Sequence, residues 1–377
     1  MTKINWSLIR YAPSSVDVTS SVLSFSYTQG RENYLDPYSG GTMTVTLKNQ
    51  NNIAQYFTFN SVWGLYDDGG VGSLKFWTQN VQFNDYPGNT GLSTITVSLV
   101  DVLARNGRNV VSNVSLAQAG TIQQLQTLWQ TLGFQIGDIG ASNAGSSTAA
   151  ATTYSGSMLN YFNLITATEK GLVSFYDGVV YMIARNQVST SLAGKNFTRD
   201  TPNSNNIVYQ EFSHNRAGLN FMNSVTIAPQ GLAAQSGVNS SSVSAYGTAQ
   251  QTITTVDYNT TQADGLADWL AFSQSDPDAE RWSVSFMDIP QNFSALNTFI
   301  NAFMASTGYT NRVWNLYYRV PGAGSDTLKQ VAIEGISVNA TPDKTMFTVF
   351  FSDIVNYQFF TLDSSVFGIL DTSRLGF

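Results

Sequence analysis

The amino-acid sequence predicts a mainly β protein interrupted by a small α+β insert. The first observation is period-two alternation of apolar and hydroxyl residues near both ends of the chain, the pattern of strands with one buried face. The second is that helical periodicity is confined to the middle and to two places in the last third. The third is composition. Charged residues make up 11% of the 377, against about 25% in an ordinary soluble protein, while hydrophobic residues are 42% and aromatics 13%. Ser, Thr, Asn, Gln and Gly fill the gap. Such a chain has ample material for a core and few charges for a solvated surface, which suits a subunit with large buried contacts better than a freestanding metabolic enzyme.

Leu23, Phe25 and Tyr27 form the apolar face of a first strand. Thr42–Lys48 alternates next, with Met43, Val45 and Leu47 on one side and Thr42, Thr44, Thr46 and Lys48 on the other. Residues 94–99 repeat the pattern, with Ile95, Val97 and Leu99 inward. Gly30, the run from Pro37 to Gly41, the run from Asp67 to Gly70, and Pro87-Gly88 mark turns. Region 1–108 therefore reads as a small barrel or sandwich built from non-local pairings.

Region 109–210 changes period. Thr121 is placed to cap a helix carrying Ile122, Leu125, Leu128, Trp129 and Leu132, with Gly133 ending it. Residues 141–153, all Ala, Ser, Thr, Gly, Asn, have no periodicity and read as a flexible linker. Ser157 opens a second helix, with Met158, Phe162 and Ile165 about a turn apart and Glu169-Lys170-Gly171 closing it. Leu172–Tyr176 and Val179–Ile183 flank Asp177-Gly178, the signature of a hairpin. Residues 187–206 are polar and read as loop.

Region 211–377 returns to β, with strands over residues 223–228, 251–256, 282–286, 331–333 and 345–351. A helix from about Thr261 carries the stripe Leu266, Ala267, Leu270 and Ala271 until Asp276-Pro277 stops it. Phe293, Leu296, Ile300 and Phe303 mark another. Leu362-Asp363-Ser364-Ser365 recurs as Leu370-Asp371-Thr372-Ser373. The layout is β region, mixed insert, β region.

Several functions drop out on residue counts. With no Cys there is no disulfide, Cys-ligated metal or Cys nucleophile. A single His, His214, excludes sites that need two from one chain. The net charge of −7 and the lack of a Lys/Arg block argue against binding by phosphate neutralisation. Residues 1–15 hold Trp6, Arg10 and Pro13 rather than the apolar stretch of a secretory signal. No run approaches 18 apolar residues, so membrane insertion is not expected.

Gly30-Arg31-Glu32-Asn33-Tyr34-Leu35-Asp36, followed by Gly40-Gly41-Thr42 and the strand ending Leu47-Lys48-Asn49, resembles the opening module of bacteriophage minor tail proteins of the tail hub or baseplate hub type. The resemblance continues at Ala167-Thr168-Glu169-Lys170-Gly171 with Asp177-Gly178 and Arg185, and at Ser244-Ala245-Tyr246-Gly247 with Ala263, the run from Leu266 to Leu270 and Asp276-Pro277. It extends to Glu334-Gly335-Ile336-Ser337 with Thr341-Pro342, and to the run from Leu370 to Phe377. The chain carries less charge than the family usually does.

The resemblance implies two tube-like antiparallel β-barrel domains, at 1–108 and 211–377, flanking the mixed region 109–210. It implies a structural, non-enzymatic component of the tail tip: a hub ring that closes the tail tube, lines the DNA channel and anchors distal or receptor-binding proteins. Three chains with two tube domains each would make a pseudo-sixfold ring, a homotrimer. The partners implied are the tail tube or distal tail protein, receptor-binding or fibre proteins, the tape measure protein, and DNA in transit without sequence-specific binding. The location implied is the virion tail, after assembly in the host cytoplasm. A distal tail adaptor ring and a glycan-binding tail protein are the alternatives. No catalytic, cofactor-binding or metal-binding residue is assigned, and no cofactor is expected.

Individual residues admit sharper readings, each weighed against a structural one. His214 as a catalytic base lacks a nucleophile pattern around it, so a polar loop or interface role is preferred. Asp276-Pro277-Asp278 with Glu280 lacks the register of a calcium loop, and Asp67-Asp68-Gly69-Gly70 reads first as a turn. Asp36 with Asp17, or Asp353 with Asp363, as a glycosidase pair carries little weight in a chain with 25 acids. Trp63, Trp77, Trp129 and Trp314 are read as core or interface rather than sugar platforms. Arg31 is expected to pair with Asp36. An acidic wall would repel DNA phosphates and let the genome slide, and Asp67, Asp68, Asp276, Asp278 and Glu280 are the clustered acids available for one.

Overall fold

Alternation becomes strand throughout the first region of the computed structural model, which describes residues 4–67, 73–86, 90–134, 136–137, 145–185, 188, 194–200, 203–215, 220–277, 281–304, 312–320 and 322–354. The strands are β1 (Trp6–Ala12), β2 (Val16–Asp17), β3 (Val22–Gly30), β4 (Thr42–Lys48), β5 (Val62–Asp67), β6 (Ser73–Asn84) and β7 (Thr94–Val100). They pair in the order β3-β4-β7-β6-β5-β1-β2, always antiparallel. Met43, Val45 and Leu47 sit directly across from Leu99, Val97 and Ile95, and all six are buried. This is the cross-strand apolar pairing that the alternation predicts. A short helix, α1 (Val102–Asn106), follows, capped by Asp101, whose carboxylate accepts from the Ala104 N–H at 2.8 Å.

The middle region contains β8 (Val110–Leu116), β9 (Ala119–Gly120), α2 (Thr121–Gln130), β10 (Ile136–Gly137), β11 (Thr148–Ala149), β12 (Thr152–Ser157), α3 (Met158–Glu169), β13 (Leu172–Tyr176) and β14 (Val179–Ile183). The hairpin β13–β14 has the predicted ends, and Asp177 and Gly178 take the positive φ values that a two-residue turn of this kind requires. Ser157 caps α3 as expected, accepting from the Asn160 N–H. Two expectations are corrected. Thr121 does not cap α2; it is the first helical residue, Gly120 takes the cap position, and the Thr121 hydroxyl donates to the Glu169 carboxylate. Residues 145–153 are not a linker. β11 pairs with β9, β12 pairs with β8, and the Glu169 carboxylate accepts from the Ser146 and Ser147 N–H groups at 2.9 and 3.0 Å. Small side chains let this backbone approach a buried carboxylate, and composition alone does not register that. Residues 141–144 of the expected linker lie outside the described residues.

The remaining strands are β15 (Asn196–Thr198), β16 (Asn206–Val208), β17 (Glu211–Asn215), β18 (Ser224–Pro229), β19 (Gln235–Val238), β20 (Gln250–Thr255), β21 (Arg281–Met287), β22 (Val313–Tyr318), β23 (Thr327–Ala340) and β24 (Thr345–Asp353). The helices among them are α4 (Ser240–Tyr246), α5 (Thr260–Ser273) and α6 (Phe293–Met304). β15 and β16 correct the loop reading of 187–206. At three residues each they are too short to show a period, yet Phe197 is fully buried with its ring 4.8 Å from that of Trp314. β18, β19 and β20 form a separate sheet, and Val225 and Ile227 share a core with Leu266, Ala267 and Leu270 of α5. The repeat at residues 362–373 lies outside the described residues.

β23 joins the two β regions. It is far longer than the predicted 331–333, because Glu334-Gly335 interrupts its apolar run without ending the strand. Its first half pairs with β22 and its second half with β3, while β24 runs along the other side. A bulge falls between Ile333 and Gly335. Both β regions therefore belong to one mainly antiparallel sheet system, and a single apolar core draws on both together with α6.

Candidate functional site

Two features stand out: a buried ionic junction where the three regions meet, and a broad uncharged sheet face. The junction begins at Gly30, whose φ is +89° and where a Cβ would fall 2.3 Å from the Glu334 carbonyl oxygen. Only glycine lets β3 lie this close to the bulge in β23. Arg31, the next residue, donates through Nε to Glu334 Oε2 at 2.8 Å and through Nη2 to the Gly171 carbonyl at 3.1 Å. The two side chains are 3% and 0% exposed, so the pair is fully desolvated. The guanidinium also lies over the rings of Tyr38 and Tyr34, at 4.6 and 5.2 Å from their centroids. Tyr38 accepts from the Val173 N–H through its hydroxyl. One side chain thus ties β3, β23 and the β13–β14 hairpin. The expected Arg31–Asp36 pair does not form. Asp36 instead lies 3.7 Å from Arg281, at a half-buried position. A local spacing of five residues cannot compete with a fully buried acid brought in by a distant strand.

Lys170 closes α3 in the left-handed conformation (φ 50°) beside this junction. Burial, with Arg31 and Arg185 nearby, pulls its ammonium down to about 7. The unfolded chain holds that proton up to the ordinary lysine range, so stability rises as pH climbs from about 7 towards 10 and is lower below 7, where both states are protonated. Lys170→Met keeps the same backbone demand and removes the charge. The variant is expected to be more stable than the parent below pH 7, on the order of a few kcal/mol, and to lose the alkaline rise. Urea unfolding from pH 6 to pH 10 checks this, and parallel pH profiles for the two proteins would sink it.

The sheet face is built from eight strands. In the order β6, β7, β4, β3, β23, β24, β21, β17, each neighbours the next and every pairing is antiparallel. Their core-facing residues alternate with an outer row that crosses both β regions. It runs Asn80 and Gln82, Thr94, Thr96 and Ser98, Thr42, Thr44 and Thr46, Ser24, Ser26 and Thr28, Ser337 and Asn339, Thr348, Ser283 and Ser285, then Ser213 and Asn215. Met287, Met346, Phe350, Val100 and Trp77 are its apolar members. Among the described residues its charges are Lys48, Arg281 and Glu211 at strand ends, and Lys75 within β6, which pairs with Asp177 at 2.8 Å. Hydroxyls bond across the strands, as between Ser285 and Thr348 at 3.0 Å. The charge missing from the composition is missing here.

The residues singled out from sequence sit elsewhere. Trp63, Trp129 and Trp314 are fully buried and Trp77 nearly so. Trp63 donates to Ser61 and Thr78 and stacks on Phe57 at 4.0 Å. His214, on β17, lies in an aromatic row with Phe212, Tyr318 and Trp282. Asp17 accepts from the Thr19 N–H, and Asp353 pairs with Lys329 at 3.2 Å. Asp67 is buried on β5 across from Trp6, and Asp276 is exposed beyond α5. Asp68, Asp278, Glu280 and Asp363 lie outside the described residues. Among the described residues no three His, Cys, Asp or Glu side chains are grouped to hold a metal ion, and no helix is long and apolar enough to cross a membrane. Sequence reasoning missed Glu334 as the partner of Arg31. The one signal was an acid inside an otherwise apolar run.

No protein-family profile matches the chain, and no curated protein matches it by sequence. Solved structures do match in fold. The 43 kDa tail protein of prophage MuSo2 from Shewanella oneidensis is similar at a TM-score of 0.60 and 12% identity, over 94% of this chain and 98% of that one. A tail protein from Neisseria meningitidis is similar at 0.54 and 10% identity, over 93% and 96%. The E. coli c3393 protein, a component of the type VI secretion system described as structurally similar to the T4 tail proteins gp27 and gp5, is similar at 0.52 and 12% identity, over 96% and 78%. The fold is that of phage tail proteins of the hub type.

Proposed function

We propose that this chain is a structural subunit of a phage tail tip, a hub whose copies form a ring that closes the tail tube and lines the DNA channel. The observation that carries this reading is the eight-stranded face, continuous across both β regions and nearly free of charge. A channel wall must not hold its cargo. Each Lys or Arg on it would bind phosphate by counterion release, whereas hydroxyls and amides carry no net charge. The wall in this reading is neutral rather than acidic, which replaces the acid-lined wall suggested by the net charge.

In this reading residues 1–108 and 211–377 are the two tube-like barrels and 109–210 the insert between them. Three copies complete a pseudo-sixfold ring. Its neighbours are the tail tube or distal tail protein above, receptor-binding or fibre proteins and the tape measure protein around it, and DNA in transit. A map of the assembled tail tip tests it. Three copies with the outer rows of β3, β4, β23 and β24 turned inward are expected. Six copies would make the chain a distal adaptor ring, and a face turned away from the channel would sink the wall assignment. The glycan-binding alternative gets no aromatic platform from the four tryptophans, which are inside.

A further inference from the structure

We propose that the surface around α4 and the end of α5 docks a second protein of the tail tip, through a segment whose apolar side chains are flanked by Lys or Arg. That the partner is a tail protein rests on the reading above. The surface and the chemistry it selects rest on exposed rings and on charge.

Val238 is 53% exposed, Tyr246 61% and Phe272 49%. They gather around α4. Asn239, the neighbour of Val238, caps that helix, and its side-chain amide donates to the Ser275 hydroxyl at 3.0 Å. Ser242 of α4 donates to the Ser275 carbonyl at 2.8 Å, and the Ser275 hydroxyl donates back to the Phe272 carbonyl at 2.7 Å. Tyr246 ends α4, with its ring 6.0 Å from that of Phe221. The exposed residues of α4 before it are Ser240, Ser241, Ser244 and Ala245, small side chains that leave the rings standing clear. Exposed apolar groups gathered within a polar rim mark an interaction surface, whereas scattered ones do not.

The charge around these rings has one sign. From residue 217 to 280 the sequence has six acids and no Lys or Arg. Asp264, Asp268 and Phe272 follow at four-residue spacing and so share one face of α5, and Asp276 is exposed just beyond its end. Like charges four residues apart weaken a helix, so the stripe costs stability in the free chain. Facing a basic partner, it becomes an attraction that sets specificity. The same stripe repels DNA phosphate and anionic lipid, which leaves a polypeptide as the occupant. A second copy fits less well. A like-to-like contact would set acids against acids. Lys75, Arg199, Arg319 and Lys329 already pair with Asp177, Asp326 and Asp353 of their own chain.

A labelled helical peptide of Leu and Lys, titrated with the full-length chain and read by fluorescence anisotropy, tests the surface directly. It is expected to bind, while the same peptide with Glu in place of Lys does not. Tyr246→Ser with Phe272→Ser is expected to weaken binding by about tenfold or more. Asp264→Asn with Asp268→Asn is expected to weaken it and to flatten its salt dependence. Phe59→Ser, at an exposed ring of the first β region, is expected to leave binding unchanged, and all three variants should melt with the parent. Equal binding by the parent and both double variants would mean general attraction to an acidic chain and overturn the surface. No binding of the Lys peptide below millimolar concentration would overturn it too. Hydroxyl-radical oxidation of Tyr246 and Phe272 then tests the occupant, in the isolated chain, in its self-assembled form and in purified tail tips. A severalfold loss of reactivity is expected in the tail tips alone. Protection already present in the self-assembled form would give the surface to a second copy and overturn the partner. Full reactivity in tail tips that contain the chain would overturn the partner and leave the tail reading standing. Tail tips that lack the chain would overturn both.

Discussion

Replacing Arg31 by Ala is expected to destabilise the folded chain by about 3–5 kcal/mol. The cause is the charge left behind. Glu334 has a fully buried side chain inside the bulge of β23, and Arg31 is a cation that meets it at 2.8 Å. Without the guanidinium, a fully buried carboxylate beside Tyr34 and Tyr38 loses this ion pair. Glu334→Ala should cost a similar amount for the converse reason. The double variant Arg31→Met with Glu334→Leu removes both charges and keeps most of the volume, so it should lie much closer to the parent than either single change. Urea unfolding followed by tryptophan fluorescence, with amide exchange of β23 as a local probe, measures all three. Losses below about 1 kcal/mol for both single variants would show that the junction does not hold the regions together.

The second large effect is expected at Phe299. It lies on the buried face of α6, with ring centroids 5.3 Å from Phe286, 5.6 Å from Phe347, 6.1 Å from Trp314 and 6.2 Å from Phe197, all at steep angles. These rings come from β15, β21, β22 and β24, so the helix plugs the second β region from within. Phe299→Ala is expected to cost about 3–5 kcal/mol, the transfer of a buried ring plus the cavity it leaves. Phe299→Leu keeps much of the volume and should cost clearly less. The same unfolding measurement separates them. Equal losses for Ala and Leu would mean that ring geometry, not filled volume, stabilises the cluster.

Much of the fold was legible where one periodicity ran long enough to be read. Thr42–Lys48 and the β13–β14 hairpin have their predicted ends, and α3, α5 and α6 lie where the apolar stripes placed them. What failed was short or was held from afar. Asn196–Thr198 is a strand because Phe197 fills a space among Trp314, Phe286 and Phe351, and three residues cannot announce that. Residues 145–153 looked like linker because their order comes from Glu169, more than twenty residues ahead. The uncharged face was visible strand by strand as outward Thr and Ser. Its extent was not, because β3 and β23 meet across about three hundred residues of sequence.

By itself, then, the sequence determined which residues alternate and that the outward members are hydroxyls and amides rather than charges. Those are properties of neighbours along the chain, set by side-chain period and turn chemistry. The tertiary structure alone decided that Arg31 meets Glu334 rather than Asp36, that the two β regions share one sheet through β23, and that their hydroxyl rows join into a single face. Each of these depends on which distant strands become neighbours. Burial across the whole core selects that pairing, and a fully desolvated acid holds its cation more strongly than a half-exposed one nearby.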